Sequence, residues 1–203
     1  MKFLLSVVVC CLFFHISLNA QNEEGQSVIG ANVGFSLIGI ILDLSDEAAE
    51  EVTIDNSPAI QLTYDYAISR VVSLGAAVSR QRFLLSYTNY DDTPQDFDVV
   101  VGRLNLAGRI LFHYGGNEKL DLYSGARLGV TNWSVNVKSD AVDNYTPSFP
   151  IGAFFAPQLV VFGMKGYITD HIGINGELAI GAPHYLSLGL SYRFAGKQDS
   201  RRY

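Results

Sequence analysis

Histidine is the side chain most often used for acid–base work near neutral pH, and beyond residue 20 the chain has three: His113, His171 and His184. Hydrolysis or acyl transfer also needs a nucleophile or activated water, a base within reach and a carboxylate to orient that base. His113 adjoins Tyr114, His171 sits in a turn, and His184 is followed by Tyr185-Leu186-Ser187. None of these patterns supplies all three parts, so no catalytic residue is assigned. Cation binding is the second chemistry to weigh. Residues 41–57 contain Asp43, Asp46, Glu47, Glu50, Glu51 and Asp55 without a basic residue, and Asp91, Asp92 and Asp96 add more negative charge. Such carboxylates could hold Ca²⁺ or Mg²⁺. The spacing lacks the Asp-x-Asp-x-Asp-Gly order of a dedicated calcium loop, so a solvated acidic surface is the favoured reading, with no metal ligand and no cofactor assigned. Ser45 before Asp46-Glu47-Ala48-Ala49-Glu50-Glu51 suits a short capped helix there.

The elements that must position these groups are clearest near the C-terminus. Leu186, Leu188, Leu190, Tyr192 and Phe194 alternate with Tyr185, Ser187, Gly189, Ser191 and Arg193. Successive side chains of a strand point to opposite faces, so one face is apolar and the other small, polar or charged. The same period predicts strands over residues 28–39, 58–69, 71–87, 98–114, 119–135, 151–165, 172–181 and 185–194. The sixth has the weakest pattern, because Pro157 interrupts it and both its faces are largely apolar. Short connections fall around Arg70, at Gly115-Gly116-Asn117-Glu118 and at residues 167–171. Longer ones fall at residues 41–57, 88–97 and 136–150, with Ala182-Pro183-His184 a short exception. Eight strands with alternating short and long connections predict an all-β fold, a closed antiparallel up-and-down transmembrane β-barrel. A soluble sandwich or a lipocalin-like carrier is the competing arrangement, and would put polar residues outward.

Parity then sorts the charges. Asp65, Arg103, Asn105, Arg109, Asp121, Arg127, Asn175, Glu177 and Arg193 fall on the inward face. An eight-stranded barrel is narrow enough for side chains to fill, and a lone charge there costs several kcal/mol. We therefore expect a structural charge network of Asp65, Arg103, Arg109, Arg127, Glu177 and Arg193. Within it, Arg103, Arg109 and Arg127 should pair with Asp65 and Glu177. A static plug is the plain expectation, and a switchable gate or narrow solute path the sharper one. Gly30, Gly34, Gly75, Gly125, Gly129 and Gly189 share the inward parity and could leave internal space. Tyr64, Tyr66, Phe112, Tyr114, Tyr192 and Phe194 have outward parity near the short-turn end. An aromatic girdle at a membrane–water boundary is expected there. Arg80 and Arg82 are outward at the upper end of the third strand, where guanidinium groups could bind phosphate in a bidentate manner or simply snorkel.

Bulk properties agree. Met1-Lys2, an apolar run over residues 3–18 and Asn19-Ala20-Gln21 describe an export signal cut after Ala20. Its removal leaves 183 residues and, with the loss of Lys2, a formal net charge of −7. Cys10 and Cys11 lie inside the signal, so the processed chain would have no thiol. A negative chain is a poor partner for nucleic acid. No later run reaches the ~20 apolar residues of a spanning helix, so any membrane crossing is by strands. Residues 21–194 make one barrel domain and residues 195–203 a short polar tail.

Four motifs carry a resemblance: Tyr64-Asp65-Tyr66 before a tight turn, Leu122-Tyr123-Ser124-Gly125-Ala126-Arg127-Leu128-Gly129, Gly166-Tyr167-Ile168-Thr169-Asp170-His171, and Leu188-Gly189-Leu190-Ser191-Tyr192-Arg193-Phe194. With them the chain resembles the eight-stranded outer-membrane β-barrel family that includes the OmpA membrane domain and OmpX, over nearly all of its processed length. The last motif is similar to the C-terminal signal read by the barrel assembly machinery, here followed by nine further residues. The resemblance implies a non-enzymatic, monomeric barrel in the cell outer membrane, contacting lipid and lipopolysaccharide, with Arg80 and Arg82 as candidate contacts. Its external loops would serve envelope structure, adhesion or other surface interactions through a loop partner left open. A narrow channel or binding barrel for small hydrophobic molecules is the alternative. A lipid A-modifying enzyme is third, and would need His113 or His184 beside serine and a carboxylate; the His-x-Ser-Asn signature of lipid A deacylases is absent.

Overall fold

Period-two alternation leaves no helical face to bury, and the described residues are all strand, turn, bend or extended connection. The structure is a computed structural model that describes residues 22–36, 52–87, 97–117, 119–139 and 148–194. The expected signal, most of the acidic connections and the tail lie outside these residues. The strands are β1 (Ser27–Phe35), β2 (Val52–Asn56), β3 (Ala59–Ala67), β4 (Val72–Tyr87), β5 (Phe97–Asn117), β6 (Leu120–Ser139), β7 (Ser148–Tyr167), β8 (Ile172–Gly181) and β9 (Leu186–Phe194). All pairings are antiparallel, and β1 pairs with both β3 and β9, which closes the ring. β2 and β3 lie end to end along β4, against residues 83–87 and 73–80 respectively. They are two segments of one barrel strand, parted at Ser57-Pro58, where proline has no N–H to give the ladder. The result is a closed eight-stranded antiparallel barrel.

Several boundaries differ from expectation: β6 runs on to Ser139 and β7 starts at Ser148, so residues 136–139 and 148–150, read as connection, continue the ladder. Residues 52–56, read as part of an acidic connection, are strand β2, Asp55 included. The turn read at Gly115-Gly116-Asn117-Glu118 is shifted, because pairing continues to Asn117↔Leu120. Gly115, at φ 73°, instead sits in an irregularity between His113 and Gly116. A left-handed backbone position of this kind favours glycine.

The barrel is polar inside and apolar outside. Leu188 and Leu190 are 57% and 61% exposed, while Ser187 and Ser191 on either side of them are 0% and 3%. The only apolar cluster among the buried described residues is Leu111, Tyr123 and Val160. Such sorting excludes the sandwich and the lipocalin-like carrier, whose apolar faces would be covered.

Strand lengths set the shape. β1, β3, β8 and β9 have 9 or 10 residues, the length a tilted strand needs to cross a bilayer. β5, β6 and β7 have 20 or 21. Their far halves, with β4 and β2, rise beyond the closed ring and, among the described residues, form an open wall. Among the described residues, β2 pairs only with β4, and residues 148–157 of β7 pair only with β6. Pro157 stands just past the last β7–β8 pair, Gln158↔Gly181, the kind of sheet edge where proline is tolerated.

Candidate functional site: the filled lumen

Inward side chains differ in size around the ring. β5, β6 and β7 bring Arg109, Tyr123, Arg127, Gln158 and Lys165, whereas β1 and β9 bring Gly30, Gly34, Ser187, Gly189 and Ser191. Long groups from one wall therefore reach across to the other. Arg109 places Nε 3.0 Å from Asp65 Oδ1 on β3 and Nη2 2.7 Å from Glu177 Oε1 on β8. Arg127 donates through Nη2 to Glu177 Oε2 and through Nη1 to Gln158 Oε1, the latter at 2.6 Å. The Tyr123 hydroxyl donates to Glu177 Oε1 at 2.8 Å. Lys165 Nζ lies 3.2 Å from Asp65 Oδ2 and 4.8 Å from the Tyr123 ring centroid. The Arg109–Asp65 contact is close but misaligned for a hydrogen bond, since neither atom counts as bonded, so it acts chiefly by charge. All five ionised groups are buried.

The inward glycines open no space in this core. A Cβ at Gly30, Gly34, Gly75, Gly125, Gly129 or Gly189 would fall within 3 Å of a neighbouring heavy atom. Gly34 faces the ring of His184, which enters the lumen fully buried from the β8–β9 connection.

Two members of the expected network lie elsewhere. Arg103 pairs with no carboxylate among the described residues. It sits six residues before Arg109 on β5, about 20 Å at ~3.3 Å per residue, beyond reach of Glu177. Its Nη2 donates instead to Gln81 Oε1 and to the Pro183 carbonyl, and its guanidinium lies 5.4 Å from the Trp133 ring centroid. Arg193 stands at the short-turn mouth, 3.9 Å over the Tyr167 ring, with Nε donating to the Asp170 carbonyl at 2.9 Å. Lys165 was absent from the expected set. A bulge between Val160 and Phe162 turns two consecutive residues outward and reverses the parity of β7 beyond it, which hid this lysine.

At the short-turn end the structure assembles what the local sequence around His113 did not. Asn22 Nδ2 donates to Ser73 Oγ at 2.5 Å; Ser73 Oγ lies 2.9 Å from His113 Nε2; His113 Nδ1 lies 2.8 Å from Asp121 Oδ1. With a ring proton on Nδ1 toward Asp121, Nε2 accepts from the serine hydroxyl. The connectivity is that of a serine–histidine–aspartate relay. However, Ser73 is 2% exposed and Asn22 covers its hydroxyl, so a carbonyl carbon cannot reach attack distance. The chain of bonds instead fastens the N-terminal segment, where Gly25 N–H donates to the Ala67 carbonyl and Ala67 N–H to the Gln26 carbonyl, both at 2.9 Å.

The outer surface places Tyr64, Tyr66, Phe112, Tyr192 and Phe194 in the open, with Tyr114 half-buried. Tyr66 and Phe194 flank Ser27, and Tyr64 and Tyr192 flank Ile29. Arg80 lies between Ile60 and Leu104, and Arg82 beside Gly102. His171 stacks on Tyr192 in the turn after β7. Among the described residues there is no grouping of three or more His, Cys, Asp or Glu fit for a metal ion; the carboxylates of residues 41–51 and 91–96 lie outside them.

No protein-family model and no curated protein matches the chain. Solved structures do match in fold. Ail, the attachment invasion locus protein of Yersinia pestis, is 15% identical, with 85% of this chain and 100% of Ail covered at a TM-score of 0.50. Ail in complex with the heparin analogue sucrose octasulfate aligns at 16% identity and 0.51, with the same coverage. The outer membrane protein OprG from Pseudomonas aeruginosa is 11% identical, with 87% of this chain and 99% of OprG covered at 0.52. At such identities the likeness is one of fold, the eight-stranded barrel of outer-membrane proteins.

Proposed function

We propose that this chain is a non-enzymatic integral outer-membrane β-barrel whose lumen is sealed by side chains and whose tall wall and long connections serve surface interaction. One observation supports this above the others: apolar side chains cover the outside, while Arg109, Arg127 and Lys165 bridge to Asp65 and Glu177 across the inside. Lipid offers an unpaired strand edge no partner, so a closed ring suits a spanning segment. A through-path would have to free both carboxylates from three cations, and breaking one buried pair costs about 3–5 kcal/mol. A sealed scaffold is therefore favoured over a channel.

Partners follow from charge. Residues 37–51, 88–96 and 140–147 contain ten acidic residues and no Lys or Arg. Ail is named for attachment and invasion and was crystallised with a heparin analogue. In this chain the acidic connections argue for a cationic protein surface, or bridging divalent cations, rather than a polyanion. Arg80 and Arg82 stand eight and ten residues above the start of β4 at Val72. At ~3.3 Å per residue and ~40° tilt that is about 20–25 Å, the top of the ~25 Å apolar band. There they would meet lipopolysaccharide phosphates. Planar-bilayer recording on the purified protein tests the sealed lumen. No stable conductance is expected, and regular openings would move the reading to a pore.

A further inference from the structure

Among the described residues four cations face the lumen almost fully buried, and three of them, Arg109, Arg127 and Lys165, share Asp65 and Glu177. Arg103 is the fourth. It is 4% exposed, and its partners among the described residues are two neutral oxygens and one ring. Both hydrogen bonds leave Nη2, so Nε and Nη1 have no described acceptor. A buried charge compensated only by neutral groups is costly, and the cost falls if an anion enters beside it.

The space for one is present. Arg103 lines a pocket of about 250 Å³ with Trp133, Phe154, Phe155, Pro157 and Ala182. Among the described residues its wall is incomplete on one side. β8 ends at Gly181, and the edge of β7 above Gln158 has no partner strand among the described residues. The pocket therefore meets the outside where Phe154 and Phe155 are 52% and 70% exposed. Trp133 is held in place by stacking on Phe83, with ring centroids 6.3 Å apart. The pocket thus has a fixed cation at its inner end and aromatic walls toward its mouth.

We infer that this pocket is a binding site for a small amphipathic monoanion, a carboxylate with a short apolar or aromatic body. Its head takes the free N–H groups of Arg103 and its body lies against Trp133 and Phe154, which share the inward face with Arg103. Pairing a planar carboxylate with guanidinium is the favoured geometry for such recognition, and the volume lies just under the usual range of small-molecule sites. The pocket sits above the Arg109–Glu177 bridge, so occupation does not require an open lumen, and the site stands or falls separately from the sealed-barrel reading.

Trp133 is the chain's one tryptophan, so its emission reports the site directly. Titration of the detergent-solubilised barrel with 3-phenylpropionate, and in parallel with uncharged 3-phenylpropionamide, is followed by Trp133 emission and calorimetry. The carboxylate is expected to bind and the amide to bind about 10–100-fold more weakly, the range for a charge-assisted bond. Arg103→Gln should lose this preference and Arg103→Lys keep part of it. Ala182→Phe, which fills the mouth and leaves the cation, should block both ligands. Each variant is first checked for folded gel mobility. Equal binding of acid and amide, or an Arg103→Gln barrel that binds the acid like wild type, overturns the proposal.

Discussion

Replacement of Glu177 by glutamine keeps the length of the side chain and one acceptor oxygen but removes the charge that Arg109, Arg127 and Tyr123 address together. Arg109, Arg127 and Lys165 would then face Asp65 alone, with Arg127 left only its bond to Gln158. Hydrogen bonds to a charged group contribute about 1.5–3 kcal/mol each, of which the amide retains a part. Breaking a buried ion pair costs about 3–5 kcal/mol, and we expect that loss here. Urea titration in phospholipid vesicles measures it, with the folded fraction read from gel migration without heating. The variant Arg127→Gln/Glu177→Gln should recover about 0.5–3 kcal/mol relative to the sum of the single losses, as interacting neighbours do. A Glu177→Gln barrel within ~0.5 kcal/mol of wild type, the range of an uninvolved surface site, would refute the reasoning. So would strictly additive losses in the pair.

Other positions give sharp contrasts. Leu188→Arg, on the outer wall, should cost about 2–4 kcal/mol in the same vesicle assay. Ser187→Ala, one residue away, should be neutral or slightly stabilising, because its buried hydroxyl has no partner. Ser73→Ala should cost about 1–3 kcal/mol and speed hydrogen exchange at Gly25 and Ala67, while wild-type Ser73 stays unmodified by a fluorophosphonate; labelling would contradict its structural role. Burial, reinforced by nearby Arg127, lowers the His184 imidazole from 6.5 to about 4. The unfolded chain therefore binds a proton that the folded barrel does not, so this residue's stability is whole above pH ~6.5 and is lost as pH falls toward ~4. His184→Gln should flatten that part of the stability curve, and an unchanged slope would count against the buried placement.

Alternation made most strands legible, and β8 falls at the bounds its sequence predicts, residues 172–181. It also identified Asp65, Arg109, Arg127 and Glu177 as inward, and the structure brings these four together. What parity lacks is height. Arg103 shares a face with Arg109 but stands six residues away on β5, and only the registers between strands show which of the two lies level with Glu177. A bulge defeats parity altogether, as Lys165 demonstrates. The Ser73–His113–Asp121 chain joins three strands, its first two members standing 40 positions apart, and nothing local to any one strand signals it. Strand β2 was hidden by its acidic surroundings, since Asp55 and Asn56 read as connection although they continue the ladder against β4.

A membrane-spanning barrel requires hydrocarbon to bathe the outer face of the sheet. The chain after residue 20 has no cysteine, so single cysteines at Leu62, Leu188 and Leu190 can be spin-labelled cleanly, with the barrel folded in lipid vesicles. Relaxation by dissolved oxygen against relaxation by a water-soluble nickel chelate is the direct measurement. High oxygen and low nickel accessibility at all three sites is the predicted result; free access of nickel, or protection from both reagents as in a packed protein core, would contradict it.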